Sequence, residues 1–457
     1  MASRDSPRKA SRLAILGWLL FAWASQPYFT LILTFIYAPY FASAVVGDAT
    51  RGQSIWGFAT AVAGVVIACI SPVLGAIADA TGRRKPWIAA FGAMLVAGAA
   101  ALWVAKPGDA ATIMPALIGF VFASIGAEFA HIFCNTMMPM LVPRKKLGSL
   151  SGLGWATGYV GGMISLILSL AFLATNPETG RTLLGLSPAF GLDAAAREGD
   201  RATGPLTAIW FVVFVTPLFL FTPDGKARYR LGPAIKHGLQ ALADTVRSAR
   251  QHRDLWFFLI ANMIYTDGLI ALFAFGGIYG AGTFGWQTIQ LGLFGILLTI
   301  TGTIGAYVGG KLDDRLGAKT VVLGALVVLV ISICAILSVS RDRIFFFLPV
   351  APPVPGGGIF ASDAERFYVV LGALIGMVAG PLQAASRTLL VRLAPHDRLA
   401  QFFGLFALSG KLTSFMGPFL VATVTAATAS QKAGISVLIA FYVVGGVLLA
   451  SARIRSS

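Results

Sequence analysis

The feature that most constrains this chain is a succession of apolar stretches, each about as long as the ~20 residues a helix needs to cross a bilayer. They fall at roughly 13–41, 54–79, 87–105, 113–141, 150–174, 205–221, 255–280, 288–310, 320–340, 367–393, 402–427 and 433–451. In lipid no water is present to satisfy backbone N–H and C=O groups, so an open-ended segment crosses only as a helix, whose hydrogen bonds are internal. The pattern therefore predicts an all-α membrane protein of twelve transmembrane helices. Charged residues make up 12% of the chain, against about 25% in soluble domains, and mean hydropathy is +0.79. So few polar residues cannot cover a soluble surface.

The sparse charges then fix orientation. With both termini placed in the cytoplasm, the cytoplasmic segments hold 24 Lys/Arg and 8 Asp/Glu, and the outer loops hold 9 of each. Cytoplasmic loops carry the Lys/Arg excess in membrane proteins, so the net charge of +16 reports topology and not a nucleic-acid partner. Cys69, Cys134 and Cys334 each sit in an apolar run, which argues against a disulfide framework and a zinc site. The four histidines lack metal spacing. The basic start (Arg4, Arg8, Lys9, Arg12) precedes an apolar run too long for a signal-peptide core, so it reads as a first span.

The stretch 222–254 divides the spans into two sets of six, giving bundles over 1–221 and 255–457. Within it Ile235, Leu239, Leu242 and Val246 recur at helical spacing, with Lys236, Arg247 and Arg250 elsewhere on the wheel. That fits either a helix lying on the membrane surface or a solvated linker helix. The outer loops 176–204 and 341–366 are long, and Pro352, Pro353, Pro355 and Gly356 to Gly358 predict irregular structure in the second.

The two sets are related. Gly75-Ala-Ile-Ala-Asp79-Ala-Thr-Gly82-Arg83-Arg84 follows span 2, and Gly310-Lys-Leu-Asp-Asp314-Arg-Leu-Gly317-Ala-Lys319 follows span 8. Residues 135–162 also align without gaps on 387–414, with identities at Thr136/Thr388, Leu141/Leu393, Pro143/Pro395, Leu147/Leu399, Gly152/Gly404, Leu153/Leu405 and Gly158/Gly410. Two parallel copies of one six-helix unit, with a site between them, form a recurrent transporter architecture.

The Gly-x-x-x-Asp-x-x-Gly-Arg-Arg pattern resembles the signature loop of the major facilitator superfamily, and the resemblance covers the whole chain. A finer resemblance is to its unknown major facilitator branch, which includes the autophagy-related vacuolar amino-acid effluxers of fungi. It rests on Trp23-Ala24, Gly82-Arg-Arg-Lys-Pro-Trp87, Gly152-Leu-Gly-Trp155 with Gly158-Tyr-x-Gly-Gly162, Tyr265-Thr-Asp267-Gly268, Gly380-Pro-Leu-Gln-Ala-Ala-Ser-Arg387 and Phe402-Phe-Gly-Leu-Phe-Ala-Leu-Ser-Gly-Lys411. The branch shows Tyr-Asp-Trp-Ala-Asn-Ser near the start of span 1, where this chain reads Phe21-Ala22-Trp23-Ala24-Ser25-Gln26. The membrane aspartate is missing, so its role does not carry over. Arg83-Arg-Lys-Pro-Trp87 also resembles sugar–cation symporters.

An ionisable side chain at the bilayer centre costs roughly 2.5–3.5 kcal/mol on the insertion scale, so it is paired or faces a wet cavity. Glu128 and His131 share a helix face, with Asn135 four residues on, and Gln383 and Arg387 share another. The resemblance implies that spans 1, 4, 7 and 10 line a central cavity, where Glu128, His131, Asp267 and Arg387 would face one another. The candidate substrate-binding set is Tyr28, Glu128, His131, Asn135, Asn262, Tyr265, Asp267, Gln383, Arg387 and Lys411. Arg387 suits a carboxylate, because its planar fork binds one bidentately. Glu128 and Asp267 are candidate proton carriers, since burial raises a carboxylate's pKa, and His131 is a candidate relay. The alternative is that these charges pair permanently and lock helices together. Pro27 beside Tyr28 frees backbone groups that a cavity can use. A gate is expected at Gly75, Asp79, Gly82, Arg83 and Arg84 and at Gly310, Asp314, Gly317 and Lys319. There Asp79 would accept backbone hydrogen bonds and pair with an arginine, holding the cytoplasmic side closed.

No Gly-x-x-x-x-Gly-Lys-Ser/Thr loop is present, which argues against ATP drive, and no His-Glu-x-x-His and no paired aspartates on one span suggest an enzyme. The expected protein is a monomeric secondary transporter without cofactor or metal, working on a small charged or zwitterionic solute with protons. The alternatives are a sugar–cation symporter and a transport-inactive sensor. The excess of Arg over Lys and the richness in Ala and Gly suggest a GC-rich bacterial genome and an inner-membrane location.

Overall fold

Helix starts in this chain are written in its serines. Ser11 Oγ accepts from Ala14 N–H at 3.1 Å and opens α1 (Arg12–Pro27). Ser362 and Glu365 form a reciprocal capping box at the head of α10 (Asp363–Leu393). Ser430 caps α13 (Gln431–Ser451). Each side chain satisfies a backbone donor that the first turn leaves without a partner.

A computed structural model describes residues 11–47, 49–175, 180–226, 253–284, 288–351, 360–395, 398–414, 416–428 and 430–452. Between α1 and α10 lie α2 (Ala49–Thr81), α3 (Lys85–Ala101), α4 (Ile113–Asn135), α5 (Leu147–Phe172), α6 (Thr203–Phe221), α7 (Arg253–Phe284), α8 (Thr288–Leu316) and α9 (Ala318–Leu337). After α10 come α11 (Leu399–Leu412), α12 (Met416–Thr428) and α13. Among the described residues ten helices are long and apolar enough to cross a membrane. The expected span at 54–79 lies inside α2.

The first span does not run as one regular helix. After Pro27 the hydrogen bonds lengthen to a π-helical pattern over Tyr28–Phe35 and again over Phe41–Val45. Proline removes a donor and displaces the carbonyl four residues back, so the ladder shifts register there. The span expected at 402–427 is divided into α11 and α12. The chain bends and turns at Thr413 and Ser414 between them. Arg343–Ile344 and Leu348–Pro349 pair as a short antiparallel hairpin inside an outer loop expected to be irregular. The left-handed Phe345 and Phe346 make its turn. The Pro/Gly stretch at 352–358 and the amphipathic stretch 235–250 lie outside the described residues.

The chain forms two compact units: residues 1–143, 157–242 and 397–404, and residues 144–156, 243–396 and 405–457. The start of α5, up to Ala156, thus belongs with the second unit. In the first unit α1 packs on α6, α2 and α3 on α4, and α3 on α6. In the second, α7 packs on α13, α8 and α9 on α10, and α9 on α13. The same neighbour pattern in both is the structural counterpart of the sequence repeat. Side chains such as Val65, Ile209, Leu220, Val370 and Val447 stay exposed. On a chain this apolar, they form the lipid-facing surface.

Candidate functional site

In the first unit the polar residues of α4 form one stripe. Ser124, Glu128, His131 and Asn135 follow at intervals of four, three and four, so they share a face. Glu128, His131 and Asn135 are half-buried among buried Ala127, Phe129, Ala130 and Ile132. Helix α1 meets this stripe. Tyr28 Oη and Ser124 Oγ are 2.6 Å apart, both buried, and Tyr28 lies within electrostatic reach of Glu128. His131 Nε2 lies 3.3 Å from Ser25 Oγ. The Ser25 hydroxyl also donates to Phe21 O at 2.9 Å. Phe21 stands edge-on to the imidazole at 5.0 Å and Phe29 lies at 5.6 Å. A carboxylate and an imidazole thus stand one turn apart on the face that α1 meets.

In the second unit a like pair appears. Tyr265 Oη and Ser386 Oγ are 2.6 Å apart and both are buried. Arg387, 8% exposed, donates through Nε to Ser151 Oγ at 2.9 Å and through Nη2 to Ser151 O at 2.8 Å. Its guanidinium carbon stands 5.9 Å from the Trp155 ring centre. The Ser151 hydroxyl in turn donates to Ala384 O. Arg387 therefore grips the start of α5 by both faces of one residue. Gln383 donates weakly to Ala379 O at 3.4 Å. Asn262 and Asp267 are buried on α7. The side chain of Lys411 lies outside the described ones.

The signature loops are tied to the repeat. Gly82 and Gly317 both adopt positive φ, +79° and +86°, a conformation glycine accepts without steric cost. The repeat-matched threonines each reach toward the loop of their own half. Thr136 Oγ1 accepts from Arg84 Nε at 3.0 Å. Thr388 Oγ1 donates to Asp313 Oδ2, and Asp313 also pairs with Arg392 Nη2 at 2.9 Å. Ser149 at the start of α5 donates to Asp314. Gly152 and Gly310 stand so close that a Cβ on Gly152 would lie 2.7 Å from Gly310 Cα. Arg84 N–H donates to Asp224 Oδ1 at 2.7 Å, and Arg83 is exposed beside it. Lys319 Nζ donates to Ala450 O and Ala452 O at 2.9 and 2.7 Å, closing the end of α13. Gly75 is buried in α2, and the Asp79 side chain lies outside the described ones.

Sequence reasoning missed Ser124, Ser151, Asp224, Asp313, Ser386 and Arg392. Asp313 was adjacent to a predicted residue, and only its burial distinguishes it from Asp314. The serines carried no signal, because a lone serine in an apolar helix more often bonds its own backbone.

Fold, repeat and intramembrane charges define a secondary-transporter scaffold of the major facilitator type. The crystal structure of FucP in the outward conformation matches it with a TM-score of 0.67 over 97% of this chain and 99% of that one, at 14% identity. The human organic anion transporter MFSD10 (TETRAN) matches with a TM-score of 0.68 over 96% and 99%, at 15% identity. At such identities the likeness shows the fold alone. The Major Facilitator Superfamily profile matches residues 3–166, and that described as vacuole effluxer Atg22 like matches residues 143–457. The chain belongs to the Atg22-like family of major facilitator transporters. It is a multi-pass integral membrane protein and a transporter, not an enzyme. YxiO of Bacillus subtilis (strain 168), an uncharacterized MFS-type transporter, is 24% identical over 95% of this chain and 93% of its own length. Autophagy-related protein 22 of Coccidioides immitis (strain RS) is 26% identical over 48% of this chain and 37% of its own length. The match thus spans well under half of that fungal relative.

Proposed function

We propose that this transporter moves a small zwitterionic, amino-acid-like solute by alternating access of its two six-helix halves (1–221 and 255–457, joined by 222–254), coupled to protons. The observation that carries the reading is Arg387, a buried guanidinium held by Ser151 hydroxyl and carbonyl oxygens. A solute carboxylate offers the same fork two charged acceptors. Charge-assisted hydrogen bonds are roughly twice as strong as neutral ones, so the carboxylate displaces Ser151. That exchange loosens α5 from α10, which links binding to helix movement. Glu128 is the proton carrier of the first unit, with His131 as its relay. Asp267 supplies the second intramembrane carboxylate on which coupling can act. The family resemblance, which includes vacuolar amino-acid effluxers, supports the substrate class. The charge bias supports cytoplasmic termini, and the Arg-, Ala- and Gly-rich composition supports a bacterial inner membrane.

The test is solute flux in proteoliposomes with and without an imposed pH gradient, screening amino acids, small peptides, organic acids and sugars. Gradient-driven flux of a carboxylated solute, abolished in Arg387→Ala, is the expected result. Flux of neutral sugars alone would overturn the substrate class, and binding without flux would make the protein a sensor.

A further inference from the structure

Polar side chains on α7 meet α11 in two rungs. Asn262 Nδ2 lies 3.4 Å from Ser409 Oγ. About one turn farther on, the Asp267 carboxylate faces the Thr413 hydroxyl. The second rung falls where the helix is interrupted, since α11 ends at Leu412 and α12 starts at Met416. The first turn of α12 presses on the same place, because a Cβ on Gly417 would meet the backbone carbonyl of Asp267. Asp267 is 2% exposed. Even so, neither Asp267 Oδ1 nor Thr413 Oγ1 makes a well-formed hydrogen bond among the described residues, and both atoms are buried. The Tyr442 ring lies against neighbouring Gly268, and its hydroxyl is likewise buried without a hydrogen bond. Buried polar atoms are nearly always satisfied. Three that are not, around two consecutive residues of one helix, mark a place that another species completes.

We propose that a monovalent cation, sodium, binds at this break. It is held by Asp267 Oδ1 and Thr413 Oγ1, and its remaining ligands would come from carbonyl oxygens at the end of α11, since the last turn of a helix leaves carbonyls without intrahelical donors. The donors are all oxygen, the hard set that suits a hard cation. One carboxylate balances one positive charge, so the buried site is neutral when filled. Divalent and transition metals draw on more ionised or nitrogen and sulfur ligands, and no group of three His, Cys, Asp or Glu gathers among the described residues. Interrupted membrane helices offer unwound carbonyls to ions in other transporters. A proton would neutralise Asp267 as well, so sodium binding is the measurement that separates the two. The bound ion ties α7 to both pieces of the broken helix. Its use as a coupling ion rests on the transport reading above, whereas its binding does not.

The experiment is equilibrium binding of 22Na+ to the purified full-length protein in detergent, with potassium and choline as competitors and monodispersity checked for every variant. The expected result is saturable binding near one ion per chain, resisted by choline and lost in Asp267→Asn. Thr413→Val keeps the fold's volume and removes one ligand, so it should bind at least tenfold more weakly. Absence of 22Na+ binding to the wild-type protein at tens of millimolar would overturn the proposal, as would undiminished binding in both variants. Flux in proteoliposomes separates the two readings. Sodium binding without any solute flux leaves the site standing and removes the transport reading. Proton-driven flux from a protein that binds no sodium does the reverse.

Discussion

At the residue scale the chain places few ionisable groups in its membrane helices and surrounds them with hydroxyls. Arg387 is the clearest case, because both its Nε and Nη2 meet Ser151. Arg387→Lys keeps the charge but has no planar fork, so it loses one of the two contacts. A hydrogen bond from a charged donor contributes about 1.5–3 kcal/mol, which predicts a fall in uptake of at least tenfold, measured as initial rate in proteoliposomes. The tyrosine–serine pairs make a milder prediction. Tyr28 and Ser124 sit 2.6 Å apart in a buried setting, and hydrogen bonds between membrane helices average about 0.6 kcal/mol, with a maximum of about 1.7. A double-mutant cycle of Tyr28→Phe and Ser124→Ala, read by denaturant unfolding in detergent, should give a coupling energy in that range. The sequence singled out Arg387, Glu128 and Tyr28, because a charge or a proline-flanked tyrosine is conspicuous in an apolar run. It did not single out Ser151 or Ser124, whose importance comes from partners over 90 residues away.

At the element scale the start of α5 is held most closely. Asp313 packs on Gly148, Ser149 bonds Asp314, and Gly152 lies against Gly310. A side chain at 152 has no space, since backbone atoms of α8 occupy it. Gly152→Leu should push α5 off α8 and raise maleimide labelling of a cysteine placed at Ser149, while Gly154→Ala serves as the control. The outer connection is secured differently. Arg201 is 5% exposed, gives two hydrogen bonds to Trp103 O at 3.0 and 2.8 Å, and stands 4.3 Å over the Trp103 ring. Beside it the Asp200 carboxylate raises the pKa of Arg197 above its ordinary value by hydrogen bonding. A raised pKa on a base stabilises the fold below its unfolded pKa, so this ion pair is fully present at neutral pH. Arg201→Ala should cost roughly 2 kcal/mol, seen as a lower melting temperature of the purified protein.

At the scale of the whole molecule the twelve apolar stretches and the charge bias predict both termini on the basic side. Impermeant labelling of single cysteines in intact cells checks this. A cysteine at Arg181 should react from outside, and one at Lys226 only after permeabilisation. If both react from outside, the orientation is wrong. The sequence by itself determined the class. Lipid enforces helices of a set length, charge bias orients them, and a repeat of spaced glycines, aspartates and threonines betrays two copies of one unit. It also marked the charges that lie within the spans, because burying a charge in lipid is costly and therefore rare. Only the tertiary structure decided how those charges are used. Asp313 rather than Asp314 became the buried partner of Arg392 and Thr388, Arg387 turned to a serine on α5, and Asp267 came to face the break between α11 and α12. Hydrogen bonds and close backbone contacts act over a few ångströms, and which residues come within that reach depends on how distant helices pack, a property no local pattern encodes.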